Sequence, residues 1–322
     1  RTNVPPKIDA LYMPPAAGVV RDAALAYFEQ LYADAQPYFF FLHFMDPHLP
    51  YTPAVGFAGR LTAGSALPAR YAHFPQLSTM CSDTIQTDLR SDDPAARADA
   101  LAAAAYLRLA YGEELMAVDA AVGEVLARAE RSGRPLVVLF TADHGEHFAE
   151  HNTMGHGNSL YEELLRVPFL IAGPGVEPGR FDAPPRLEDI GITLLHAAGI
   201  AVRSFGQGRD LLQPNSEPGS PAFATHEDAF AVLDGEWKAR FSWDCRDPRA
   251  SPLLLITAGK ADAEDENLAE TQPAVREALQ ALAEKARVGA RARIIRAMDA
   301  VERANLAALG YAFDAEGNVI AN

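Results

Sequence analysis

The apolar run Leu136-Val-Val-Leu-Phe140 constrains this chain more than any other stretch, because a long alanine-rich helical pattern precedes it and Thr141-Ala-Asp-His-Gly-Glu-His-Phe-Ala-Glu-His151 follows it. A short continuous apolar run bounded by turn signals has the length and character of a strand buried on both faces. Its carboxyl end delivers Asp143, His144 and Gly145 to the sheet edge where open α/β folds keep their sites. A carboxylate, an imidazole and a flexible backbone suit a divalent metal ion there. Calcium, manganese and zinc all accept such donors, and a carboxylate-rich shell favours the harder ions. Asp143 would serve equally well as the cap of a helix starting at Gly145, so these residues alone leave both roles open.

Upstream, Val20, Ala24, Leu25, Phe28, Leu31 and Tyr32 recur at helical spacing over 17–34, and Gln36-Pro37 stops that helix. Tyr38-Phe-Phe-Phe-Leu42 reads as a second strand buried on both faces, followed by His43-Phe-Met-Asp46-Pro47-His48-Leu-Pro50-Tyr51. Residues 52–92, with scattered Gly, Pro and Ser, read as a long surface excursion, more often a lid or a disordered segment than core. Asp93-Pro94 then opens a helix to about Arg131 whose apolar face carries Leu107, Tyr111, Leu115, Val118, Val122, Val125 and Leu126, and Gly133 ends it. A helix around 158–165, a strand over Val167-Pro-Phe-Leu-Ile171 closed by Gly173-Pro-Gly175, and a helix over 187–198 follow.

This alternation predicts an α/β fold, a mostly parallel sheet sandwiched by helices. After about Pro214 the pattern changes to short strands over 222–233, 237–243 and 253–256, with a tight turn at Asp234-Gly235 and a helix over 273–309. The reading is an α/β core over 1–214 and a smaller α+β subdomain over 215–322.

Charge and composition narrow the function classes. The net charge is -15 and the 28 basic residues form no run or stripe, so nucleic acid is not expected as a partner. A small anionic ligand remains compatible, because the field inside a cleft can oppose the net charge. No apolar stretch approaches the roughly 20 residues that span a bilayer. The two cysteines, Cys81 and Cys245, leave the redox compartment open.

Two further histidines sit just past the two apolar runs. His156 lies between Gly155 and Gly157, where a ligand can approach the backbone closely, and His48 lies between Pro47 and Pro50. Each alone is compatible with an exposed loop position. In a parallel sheet both run ends share one edge, so the histidines are expected to converge on Asp143 and His144.

With these residues in place, the chain resembles the sulfatase family of the alkaline phosphatase superfamily. The resemblance is carried by the Thr141-Ala-Asp-His-Gly-Glu block and by Gly155-His-Gly-Asn-Ser-Leu-Tyr-Glu-Glu-Leu-Leu-Arg-Val-Pro-Phe-Leu-Ile-Ala-Gly-Pro-Gly175. Pro47-His-Leu-Pro-Tyr51, Tyr111-Gly-Glu-Glu-Leu-Met-Ala-Val-Asp119 and Asp189-Ile-Gly-Ile-Thr-Leu-Leu-His-Ala-Ala-Gly-Ile200 agree with it, as do Glu266-Asn-Leu268 and Ala308-Leu-Gly-Tyr311. The resemblance implies a metal-dependent hydrolase of sulfate esters on small molecules or glycans. Asp143 and His144 would be ligands of a divalent ion, calcium first with manganese or zinc as alternatives, and His48 and His156 would be catalytic contacts to the transferring group. Family members are often exported, which favours the periplasm or the exterior.

Two departures shape the expectation. His156 stands where many sulfatases have lysine and some phosphoethanolamine transferases have histidine. A phosphate-ester hydrolase or transferase of the same superfamily is therefore an alternative. The family's Cys/Ser-x-Pro-x-Arg nucleophile motif is absent from this sequence: Cys81 precedes Ser-Asp-Thr, and in Cys245-Arg-Asp-Pro-Arg249 the proline falls one place late. The chain is therefore expected to be a fragment lacking its amino-terminal nucleophile segment and inactive alone. A non-catalytic anion-binding protein is the competing reading.

Overall fold

The computed structural model describes residues 16–33, 36–73, 79–181, 184–201, 208–213, 221–226, 229–242, 253–257, 266–291, 312–313 and 319–320. Helix α3 (Pro94–Glu130) forms the spine. Asp93 caps it, its side chain accepting from the Ala95 amide at 3.0 Å with Pro94 in the first turn. Such a cap contributes about 1 kcal/mol. Beyond the helix, Gly133 reverses the chain at a φ of 65°.

The buried face of α3 is built mainly of alanine, so neighbouring helices approach closely. Ala100, Ala103, Ala104, Leu107 and Ala110 receive Cys81, Ile85 and Leu89 of helix α2 (Thr79–Leu89). Farther along, Val118, Ala121, Val125 and Ala129 receive Ala17, Ala24 and Phe28 of helix α1 (Ala17–Ala33). Leu115, expected on the apolar face, is exposed instead.

Helix α2 lies inside the region read as an irregular excursion, which corrects that expectation. Its sequence is rich in Thr, Ser and Asp, weak helix formers that obscure the pattern, while Cys81, Ile85 and Leu89 recur every four residues along one face. Residues 52–73 lack regular structure but are tied down. Glu113 of α3 accepts from the Leu61 and Thr62 amides at 2.7 Å each and from the Thr62 hydroxyl at 2.9 Å. Glu114 accepts from the Thr52 amide. Asp88 accepts both from Arg70, at 2.6 and 2.9 Å, and from the buried Tyr71 hydroxyl at 2.8 Å.

The segment expected as a strand at 38–42 forms no ladder among the described residues. It alternates rather than burying both faces. Tyr38, Phe40 and Leu42 pack on Phe28, Val125 and Ala129, whereas Phe39 and Phe41 are 75% and 73% exposed. Leu136 joins the same cluster, so this segment and the approach to strand β1 (Val138–Thr141) rest on a common base.

β1 pairs with strand β4 (Phe169–Ala172) in antiparallel register, Val138 opposite Ala172 and Thr141 opposite Phe169. The α/β class stands, while every ladder among the described residues is antiparallel, so the parallel pairing expected of the sheet is not among them. The cause lies in the connection. Between β1 and β4 stand a short hairpin of β2 (His147–Phe148) and β3 (Met154–Gly155) and the one-turn helix α4 (Glu162–Leu165), with no crossover helix to return the chain in parallel. The helix expected around 158–165 is reduced to α4. Helix α5 (Asp189–Ala197) falls where the sequence placed it.

Strands β5 (Ala222–His226), β6 (Ala229–Asp234), β7 (Trp237–Ser242) and β8 (Leu253–Thr257) form a sheet in that order. The single segment expected at 222–233 is two strands, and Gly235 at a φ of 59° makes the predicted turn. Helix α6 (Pro273–Arg291) packs Val275, Leu279, Leu282 and Ala286 on Phe230, Val232, Ala239 and Phe241. The rest of the helix expected to 309 lies outside the described residues. Short strands β9 (Ala312–Phe313) and β10 (Val319–Ile320) pair near the end. The buried ammonium of Lys238 in β7 donates to Glu162 of α4 at 2.8 Å, and the Arg240 guanidinium lies 3.6 Å over the Tyr161 ring.

Burial pushes the Glu114 carboxyl from its ordinary 4.5 up to about 8, against the Thr52 amide and with help from nearby Asp46. Burial raises Asp46 as well, against amides that include Ala17. The folded chain therefore holds a proton on Glu114 that the unfolded chain loses above pH 4.5. Stability from this group is full below that pH and falls by about 1.4 kcal/mol per unit until the folded group ionises. Replacing Glu114 with Gln should flatten this decline between about pH 5 and 8, measured as the difference in urea unfolding free energy between the two proteins. Parallel pH profiles would contradict the assignment.

Candidate active site

Strand β1 ends at Thr141, whose hydroxyl donates to the Pro168 carbonyl at 2.8 Å. The turn that follows is pinned to α4. The Gly145 amide donates to the Leu164 carbonyl at 2.9 Å, and a Cβ on Gly145 would stand 1.9 Å from the Glu163 carbonyl oxygen. Glycine is required there by close backbone approach rather than by φ. No helix starts at Gly145, so Asp143 is not a helix cap. One of its oxygens accepts from the His144 amide at 3.0 Å, and its side chain is 76% exposed.

The β2–β3 hairpin turns the chain back and returns His156 to this point. The rings of His144 and His156 stack with centroids 4.2 Å apart, and His48 meets His156 edge-on at 5.1 Å. The structure therefore brings His48, Asp143, His144 and His156, the four residues singled out from sequence, into one cluster.

Each imidazole is oriented through Nδ1. In His48 that atom lies 2.7 Å from the Leu49 carbonyl oxygen, and in His144 it lies 2.9 Å from that of Gly145. Both are donors in this arrangement, which leaves Nε2 uncommitted. His156 Nδ1 instead faces Glu146, 3.1 Å from Oε1 and 3.3 Å from Oε2. The hydrogen bond to Glu146 raises the His156 pKa, burial works against it, and the Glu146 and Asp143 charges add to the rise.

Glu146 and Tyr51 escaped the sequence reading as site residues. Tyr51 donates its hydroxyl to Glu146 Oε2 at 3.0 Å, and burial followed by the Glu146 charge pushes the Tyr51 pKa far up. Both residues stand inside the quoted motifs, but their partnership across 95 positions leaves no local pattern. Nearby, fully buried His147 places Nε2 2.8 Å from the Ser159 hydroxyl, and burial lowers its pKa. This contact anchors the loop carrying His156. Cys81 is a free buried thiol in the α2 core, its pKa raised by burial, while Cys245 lies outside the described residues.

The fit of a metal ion to Asp143 and His144 can be tested by their free donors. His144 Nε2, left with its lone pair, lies 3.7 Å from Asp143 Oδ2, a spacing compatible with two ligands of one ion. The pair fits as part of a shell. Among the described residues no group of three or more His, Cys, Asp or Glu side chains is placed to hold an ion.

Helices, a two-stranded ladder and a histidine-rich strand end define an α/β protein whose chemistry is gathered where two extended segments finish. The chain belongs to the sulfatase family, whose model matches residues 6–200. It is 31% identical over 144 residues to choline-sulfatase of Rhizobium meliloti (strain 1021), covering 41% of this chain and 28% of that protein. It is 33% identical over 114 residues to arylsulfatase K of Bos taurus, covering 34% and 21%. Among solved structures, yidJ from Bacteroides fragilis shares the fold with a TM-score of 0.60 and 17% identity, over 82% of this chain and 56% of that one. Ps i-CgsB, whose structure with k-i-k-neocarrahexaose also matches, does so at a TM-score of 0.56 and 18% identity, over 84% and 54%. The chain thus matches under a third of these two curated relatives and little more than half of these solved chains. Members of the family are generally metal dependent.

Gly145→Ala should force β1 and α4 apart. The expected loss is about 2 kcal/mol or more in urea unfolding. A stability within about 0.5 kcal/mol of the parent would show that the backbone approach is unimportant.

Proposed function

We propose that this chain carries the metal- and oxyanion-binding part of a sulfate-ester hydrolase. The observation that carries the reading is the convergence of His48, His144 and His156 beside exposed Asp143 in a member of the sulfatase family. Asp143 and His144 would hold a divalent ion, with calcium the first choice. When bound, the ion supplies Lewis-acid stabilisation of charge on the ester oxygens.

The chain's own side chains do the rest of the work assigned here. His48 and His156 direct Nε2 at the transferring group, and in the imidazolium form that nitrogen carries a second N–H, which donates to a sulfuryl oxygen as its charge grows or passes its proton to the departing alkoxide. Both Nδ1 atoms are already committed, so the donors are oriented before substrate arrives. None of these four residues is the attacking group. We assign the attack to the family's Cys/Ser-x-Pro-x-Arg element, which this sequence does not contain. The substrates would be sulfate esters of small molecules or glycans.

Asp143→Ala should abolish turnover of an aryl sulfate by the product of the complete reading frame and weaken calcium binding by at least about tenfold in calorimetry. Comparison with an aryl phosphate decides between the two ester classes. Unchanged turnover of both esters in Asp143→Ala would reject the assignment.

A further inference from the structure

The three imidazoles of the cluster are not held alike. His48 and His144 rest Nδ1 on carbonyls of adjacent residues, contacts set by the local backbone. His156 rests on a side chain, and that side chain is itself held. Glu146 is nearly shut off from water, with Oε1 facing His156 and Oε2 accepting from Tyr51. The Tyr51 ring is buried against Tyr111 and Phe148, with centroids 5.7 and 6.0 Å away.

We propose that Glu146 is a positioning residue that holds His156 with Nδ1–H toward the protein and Nε2 toward the reacting group, and that Tyr51 locks Glu146 in that pose. The proposal rests on the reading of His156 as a group that meets the transferring oxyanion. The Glu146 carboxylate faces His156 Nδ1 with both oxygens and accepts from Tyr51 at Oε2, so it cannot turn without loosening these contacts, and the Tyr51 hydroxyl restrains the acceptor that His156 needs. The ring so fixed lies between His144 and His48. A tilt of His156 would disturb both neighbours, so Glu146 sets the geometry of the whole cluster.

The test has a readout that needs no turnover. In the 322-residue chain labelled with 15N-histidine, at alkaline pH where the rings are neutral, long-range 1H–15N spectra report which nitrogen carries the proton. The His156 signal is assigned by its loss in His156→Gln. The parent should show the Nδ1–H form. Glu146→Leu should relax toward Nε2–H. Glu146→Gln should keep Nδ1–H, because its amide oxygen still accepts from the ring while its NH2 group turns to the Tyr51 oxygen. In the product of the complete reading frame, Glu146→Leu should lower kcat on an aryl sulfate by about 10–100-fold with KM within about threefold, and Glu146→Gln should recover part of the loss.

If Glu146→Leu does not fold, Glu146→Asp carries the same test. Its carboxylate, one methylene shorter, cannot serve ring and phenol together, so a mixed tautomer is expected. An unchanged Nδ1–H form in whichever of these two variants folds overturns the proposal, as does a Glu146→Gln protein whose ring has relaxed. Relaxed tautomers in a protein whose parent hydrolyses no sulfate would sustain the positioning role and reject the sulfatase reading instead.

Discussion

A carboxylate taken out of water costs several kcal/mol unless donors reach it, and in this molecule that penalty falls on Glu113, Glu114, Glu146 and Glu162. Each recruits a different piece of chain. Glu113 gathers residues 61–62, Glu114 holds Thr52, Glu146 joins Tyr51 to His156, and Glu162 receives Lys238. Glu113 meets four donors, the Gly59, Leu61 and Thr62 amides and the Thr62 hydroxyl, and its pKa falls because those hydrogen bonds outweigh its burial. Glu114 meets one, keeps Oε2 without a partner and is pushed up to about 8. Adjacent positions on one helix thus take opposite protonation behaviour from the number of donors that reach them. Segments with little apolar surface of their own are held in place by these contacts, and two of the four glutamates bear directly on the turns that carry His48 and His156.

Local physics made much of the fold legible. Asp93-Pro94 announced α3 by capping chemistry, Gly235 announced the β6–β7 turn by its positive φ, and the apolar spacing over 17–34 announced α1. What failed was what depends on partners. The run at 38–42 is apolar at every position, so its pattern could not distinguish a strand buried on both faces from one that alternates. Alternation with helices implies parallel strands only where a real crossover joins them, and α4, between the antiparallel β1 and β4, is only one turn long. Helix α2 was missed because its residues favour caps and turns, although the four-residue spacing of Cys81, Ile85 and Leu89 was visible.

The site was legible to a different degree. Short motifs placed His48, Asp143, His144 and His156, and the reason offered for their convergence was a shared edge of a parallel sheet. The convergence is present, yet no parallel ladder occurs among the described residues. The hairpin of β2 and β3 returns His156 to Asp143, and a common base on α1 and α3 carries both extended segments. Glu146 and Tyr51 belong to no spacing rule, since a hydrogen bond across 95 positions is a property of the folded chain.

The carboxyl-terminal sheet lies beyond the residues that match the family, yet it is mechanically continuous with the site. Lys238 is fully buried on β7, and its ammonium reaches Glu162 at the start of α4. Arg240, two positions on, covers Tyr161, whose ring also stacks on His151 at 3.6 Å and meets His147 edge-on at 5.9 Å. The next residues of α4, Glu163 and Leu164, present the carbonyls against which Gly145 is packed. A displacement of β7 would therefore pull on α4, then on the Gly145 backbone, and so on Asp143 and His144. Truncating Lys238 would leave Glu162 without the ammonium that it meets, and the desolvation cost would fall on the helix that the strand end leans against. The smaller sheet is in this sense part of the wall that fixes the candidate metal ligands, although it contributes none of the four side chains.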